Sequence, residues 1–274
     1  MKCLQCDVEN EESAKFCSSC GVELVNKKFK ESNFKNIKML TYTLIYVLYA
    51  YILYDLLCIG SYIYKYYLWK KFENTSILAS SVETTIKSLE SNMHIIDNIS
   101  MILSLLLLLL IPLWFFKVNK NSRALGAMNM KHSPLWSALW FFIPIFNIWK
   151  PIQVLKELYY TSLKPKSWKI MRQEIKDLHT EKNIFDWKSL KDIVKKNIVM
   201  ETVITFWWGI NIFTYFLIFV YTYQVTKAGI SNHFTEIKVD SLISSLDIIS
   251  ILLLIITITT INKKQAENNF QLKE

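Results

Sequence analysis

Four runs of twenty or more almost wholly apolar residues, 39–64, 95–116, 203–225 and 242–261, decide what this chain can become. At 1.5 Å of rise per residue, each is long enough as a helix to cross a hydrocarbon core of about 30 Å. Lipid offers no partner to a backbone N–H or C=O, so each run must close its hydrogen bonds on itself. The expected fold class is therefore an all-α integral membrane protein with four transmembrane helices. Composition agrees: 52% of the 274 residues are apolar, mean hydropathy is +0.22, and glycine and proline number five each. That is the profile of a helical membrane protein and not of a soluble enzyme.

Between the second and third runs lies a stretch, 124–158, that is apolar enough for lipid but badly built for crossing it. Pro134, Pro144 and Pro151 each remove a backbone donor and crowd the preceding turn. The most apolar part, 135–149, would reach only about 22 Å as a helix. A broken, partly inserted segment over 134–149 on the cytosolic side is expected, held against its neighbours.

Charge fixes the orientation. With four spans, the inner side collects Lys27, Lys28, Lys30, Lys35 and Lys38, then Lys117, Lys120, Arg123 and Lys131, the dense basic run 150–196, and Lys263 and Lys264. The outer side keeps Lys65, Lys70, Lys71, Lys87, Lys227 and Lys238. A full crossing by 135–149 would move the run 150–196 outside and destroy this bias. Both termini are expected in the cytosol, in the cell membrane, and no apolar leader precedes Lys38, so no cleavable signal peptide is expected. The net charge of +9 sits beside the apolar runs, which favours anionic inner-leaflet lipid over nucleic acid as its partner.

The first 25 residues carry two CxxC knuckles, Cys3-Leu4-Gln5-Cys6 and Cys17-Ser18-Ser19-Cys20, followed by Gly21. Four thiolates at this spacing close a tetrahedral site around one structural Zn²⁺, and Gly21 tolerates the left-handed turn that follows a knuckle. Two disulfides or free thiols are the alternative, disulfides being disfavoured in a reducing cytosol. The module looks like the small N-terminal zinc ribbon of many bacterial membrane proteins. A basic linker, 26–38, and a cytosolic tail, 262–274, flank the membrane domain, 39–261. Cys58, inside the first run, reads as packing.

Two further helical patterns lie outside the runs. In 185–197, Trp187, Leu190, Ile193 and Val194 recur opposite Lys188, Lys191, Lys195 and Lys196. This fits an interfacial helix on anionic lipid or one docked on the protein's own cytosolic face, within a helical cytosolic region 150–200. Residues 74–93 suggest a short surface helix. Tyr42, Tyr46, Tyr62, Tyr64, Trp114, Trp207 and Trp208 sit where interfacial aromatics sit, and the leucine-rich 103–111 should face lipid.

Ala124-Leu125-Gly126-Ala127, His132-Ser133-Pro134-Leu135-Trp136, Ile143-Pro144-Ile145-Phe146-Asn147-Ile148-Trp149-Lys150-Pro151 and Trp207-Trp208-Gly209 together resemble the family catalogued as domain of unknown function 4328. The resemblance covers most of 39–261. It implies a bacterial membrane protein, often with a zinc ribbon in front, and brings no established activity. Leu135 stands where the family usually has glycine.

The candidate intramembrane polar site is Asp55, Asn147, Asn211 and Asp247. No Lys or Arg lies deep in the four runs, so a carboxylate there is a functional candidate; the alternative for Asp55 is satisfaction by Tyr51, Tyr54 or a water. Asp97 and Asp247 at the starts of their runs, and Glu201 at the start of the third, read as helix N-terminal carboxylates. Asn147 and Asn211 form a second candidate pair, either bonding freed backbone groups or binding a ligand. His94, His132, His179 and His233 read as isolated, solvated residues. The five glycines are too scattered for a dinucleotide turn, a P-loop or a nucleophile elbow, and HExxH is absent, so no enzyme is expected. The functional expectation is a non-enzymatic scaffold or sensor presenting its zinc ribbon to an unknown cytosolic protein partner. The alternative is a small transporter or channel using Asp55 and the broken segment.

Overall fold

The computed structural model describes residues 8–11, 14, 17–19, 34–73, 79–166, 168, 187–228 and 233–271. It divides into two units, Met1–Phe34 and Lys35–Glu274. Among the described residues the larger unit is entirely helical: α1 (Lys38–Glu73), α2 (Ala79–Ala124), α3 (Pro134–Leu139), a 3-10 turn (Trp140–Phe142), α4 (Pro144–Asn147), α5 (Lys150–Leu163), α6 (Trp187–Ala228) and α7 (His233–Gln271). Four stretches, Lys38–Lys71, Glu83–Ala124, Asn197–Lys227 and Phe234–Gln271, are long and apolar enough to cross a membrane. The protein is therefore membrane-embedded.

These helices overrun the apolar runs. The pattern over 74–93 does not make a separate surface helix; from Ala79 onward it is the start of α2, because no Gly or Pro interrupts the backbone before Pro112. Likewise the helix expected over 185–197 is, from Trp187, continuous with the third span. Asp97, Asp247 and Glu201 thus lie well inside α2, α7 and α6, and the N-terminal capping reading of all three is wrong.

The prolines act as expected on the segment after α2. Pro134, Pro144 and Pro151 each stand in the first turn of a short helix, where a missing N–H costs nothing. Ser133 caps α3 by accepting from the Trp136 N–H. α2 ends in a turn through Gly126 at φ 98°, with Gly126 N–H bonded to Arg123 O and Ala127 N–H to Ser122 O. A side chain there would be strained, so glycine is what lets the chain reverse.

The core is concentrated around α5. Val154, Leu155, Leu158, Tyr159 and Tyr160 pack with Leu44 and Leu48 of α1, Trp114, Phe115 and Val118 of α2, Ile204, Trp207 and Trp208 of α6, and Ile258 and Ile261 of α7. The region 150–200 is helical from Lys150 to Leu163, and this first part, α5, plugs one end of the bundle. Trp114, Trp207 and Trp208 are buried and are not interfacial belt residues, whereas Tyr42, Tyr46 and Tyr64 are exposed. Leu105, Leu106, Leu108 and Leu109 are exposed along α2, as a lipid-facing surface requires. The short helices 134–147 also present an apolar face: Leu135, Phe142, Ile145 and Ile148 are half exposed or more.

Candidate functional site

Two buried polar centres lie in the helical unit. The first forms where the reversal at Gly126 lays 127–133 across α5. Glu157 Oε1 accepts the Lys131 N–H at 2.6 Å, Oε2 accepts the His132 N–H at 3.1 Å, and His132 Nδ1 lies 2.8 Å from Oε2. His132 is 5% exposed and Glu157 2%. Burial alone would push the Glu157 carboxyl up, but the hydrogen bonds from the His132 ring and from the two backbone N–H groups outweigh it and hold it below the usual carboxylate range. An ionised Glu157 makes Nδ1 the donor.

Around this pair the helix ends at one side of the bundle interlock. Asn119 Nδ2 donates to His132 O and Ser137 Oγ, and the Arg123 guanidinium donates to Asn119 Oδ1 and His132 O. Gln265 on α7 donates to Val118 O and Ser122 Oγ on α2, and Thr161 on α5 donates to the same Ser122 Oγ. Asn268 donates to Ser162 O. Asn121 Oδ1 accepts the Lys35 N–H at 3.1 Å while its Nδ2 donates to Lys35 O at 2.9 Å. Asn119 and Asn121 each give and receive at once, which suits an amide to holding helix ends in register.

Glu201 belongs to the α5 anchorage: Tyr160 donates to its Oε2 at 2.7 Å and Lys156 lies 3.4 Å from its Oε1. Tyr159 donates to Asn197 Oδ1, and burial, with the Glu201 charge second, pushes its phenol up to about 12, so it remains a neutral donor. Trp208 Nε1 donates to Ile148 O at 2.7 Å, tying the proline-broken segment to α6.

The second centre lies in the other half of the bundle. Asp55 on α1 is 2% exposed, and its Oδ2 has no hydrogen-bond partner among the described residues. It lies within electrostatic reach of Asp247 on α7. Tyr54 donates to Asp97 Oδ1 at 3.2 Å, and Ser104 Oγ is 3.5 Å from the Tyr51 hydroxyl. Asp55 and Asp247 thus lie on two packed helices, within electrostatic reach of one another.

No hydrogen bond joins Asn147 to Asn211 among the described residues. Asn211 donates to Trp207 O and to Ser250 Oγ at 2.6 Å, stapling α6 to α7, while Asn147 Oδ1 is buried without a partner among the described residues. In the N-terminal unit, Cys17 is buried and its Sγ accepts from the Ser19 N–H at 3.4 Å and from Asn10 Nδ2 at 3.5 Å. Cys3, Cys6 and Cys20 lie outside the described residues, as does His179.

Residues 87–265 match the family described as domain of unknown function DUF4328. The chain belongs to that family. No curated protein matches it, and no solved structure does. The DUF4328 region contains the His132–Glu157 pair, Asn119, Asn121, Arg123 and Gln265, together with Asp97, Asn211 and Asp247; it leaves out Asp55 and the cysteines.

Sequence reasoning missed the first centre. His132 is not a solvated loop residue but half of a buried pair. The available signal was Asn119, Asn121, Ser122 and Arg123 crowded into the end of an apolar helix, opposite Glu157 and Gln265. Nothing in spacing alone says that these meet.

Proposed function

We propose that this DUF4328 protein is a non-enzymatic membrane adaptor that holds an N-terminal zinc module at the cytosolic face for a protein partner. The observation that carries the reading is the two-way clamp of Asn121 on Lys35. A buried side chain gripping both backbone groups of one residue anchors the first residue of the membrane unit. A module meant to be presented benefits from such a fixed root, because a defined attachment raises its effective concentration against a partner at the membrane.

The chemistry of Cys17 supports the metal. A thiolate accepts hydrogen bonds from backbone and amide N–H groups, and those around Cys17 suit an anionic sulfur. Cys3, Cys6, Cys17 and Cys20 would hold one Zn²⁺ with no open position, so the ion would stabilise the module and not catalyse. The lysines flanking the helices would sit on anionic inner-leaflet lipid.

The test uses the full chain purified from membranes. One zinc per chain by elemental analysis, lost in Cys17→Ser with helix content unchanged, is the expected result. In-cell crosslinking should then recover a cytosolic partner with the full chain and not after deletion of residues 1–25. Absence of zinc, or equal recovery by the truncated chain, would overturn the reading.

A further inference from the structure

The second polar centre has a feature that the adaptor reading does not use and does not depend on. Asp55 lies 17 residues beyond Lys38 on α1, and Asp247 lies 16 residues before Lys263 on α7. At helical rise these separations are about 26 Å and about 24 Å, so two antiparallel neighbours carry their carboxyls at one depth. Asp97 on α2 accepts from the hydroxyl of Tyr54, the residue before Asp55 in the chain.

No Lys or Arg opposes them among the described residues. α1 has no Lys or Arg between Lys38 and Lys65, α2 none between Lys87 and Lys117, and α7 none between Lys238 and Lys263. α6, packed on α7, has none between Lys196 and Lys227. Lys65 lies a further ten residues along α1 and is 3.4 Å from Glu90. The other titratable groups nearby are Tyr51, Tyr54, Cys58 and Tyr62 of α1 and Asp240 of α7, all neutral or acidic. A carboxylate cannot stay buried in apolar surroundings without a counter-charge or hydrogen bonds, and a second carboxylate within electrostatic reach makes two simultaneous charges costlier still.

We infer that Asp55 and Asp247 form an intramembrane proton-binding site in which the pair holds one exchangeable proton, with the Asp55 carboxyl as its buried seat. The ligand is a proton and not a metal: among the described residues no group of three His, Cys, Asp or Glu is arranged to hold a metal ion. A chain with this site has a chemical input, proton activity, whatever its N-terminal unit binds.

A hydrophobic carbodiimide tests this on the full chain in liposomes. It reacts with a protonated carboxyl in an apolar site: the acid O–H adds across one C=N bond, the oxygen to carbon and the proton to nitrogen, and an acyl shift leaves a stable N-acylurea. Peptide mapping should find the adduct on Asp55, falling about tenfold between acid and alkaline ends of a titration, as expected of one coupled carboxyl pair. Added Na⁺ or K⁺ should not protect it. Asp247→Asn, which removes the neighbouring charge, should move the midpoint down by about one pH unit or more, an effect that a merely structural role would not produce; should that variant not fold, the native titration alone decides. No adduct on Asp55 at any pH, a flat pH profile, an unmoved midpoint in folded Asp247→Asn, or protection by Na⁺ or K⁺ would each overturn the inference.

Discussion

Replacing Glu157 by alanine is the sharpest test of what holds the DUF4328 domain together. The carboxylate accepts from Lys131 N–H, His132 N–H and the His132 ring. Alanine leaves all three without an acceptor, in a place where α5, α2 and the 127–133 turn exclude water. An orphaned buried donor costs about 1–3 kcal/mol, so three cost about 3–9 kcal/mol in all. Lys131 is only partly shielded, so the lower part of that range is expected, about 3–4 kcal/mol. For a chain of this size each kcal/mol moves Tm by about 2–4 °C, which places the loss at about 6–16 °C. The assay is thermal unfolding in detergent, followed by loss of the monodisperse peak on size exclusion. Glu157→Gln keeps one acceptor oxygen and should lose about half as much. His132→Ala and Glu157→Ala should be non-additive in a double-mutant cycle by about 1 kcal/mol or more. A Glu157→Ala protein within about 2 °C of wild type, or an additive cycle, would refute the claim that this pair fixes the reversal after α2.

The same carboxylate makes a pH prediction. Its folded-state titration lies below the usual range, so its contribution is fully present above an unfolded value of about 4.3 and is lost as pH falls through the folded value. The stability gap between wild type and Glu157→Gln should therefore be flat at neutral pH and shrink below about pH 4.5, by thermal unfolding across a pH series; a gap that widens on acidification would contradict the assignment. Trp208→Phe removes the indole N–H from Ile148 O and should cost about 1 kcal/mol, with faster backbone hydrogen exchange confined to residues 143–149. Unchanged exchange there would show that the proline-broken segment is held by packing alone.

The sequence announced its spans clearly and its centres unevenly, and the difference is physical. A lipid-crossing helix is a local property: twenty apolar residues suffice, and 39–64, 95–116, 203–225 and 242–261 each lie inside an observed helix. The prolines are local signals too, and Pro134, Pro144 and Pro151 do start short helices. Helix ends beyond the apolar runs were not legible, because polar helix and polar loop look alike when no Gly or Pro intervenes; Asp97, Asp247 and Glu201 were misread as caps for that reason. Asp55 stood out because a carboxylate among apolar neighbours is anomalous on its own helix. His132 and Glu157 did not, because each is ordinary where it stands and becomes unusual only when the chain reversal at Gly126 joins them. Buried charge without an opposite partner is thus visible one residue at a time, whereas buried charge that is fully answered is visible only in three dimensions. The two centres of this protein divide along that line: Glu157, whose carboxylate accepts three hydrogen bonds, holds helices in place, and Asp55, whose Oδ2 accepts none, is the group left to take a proton.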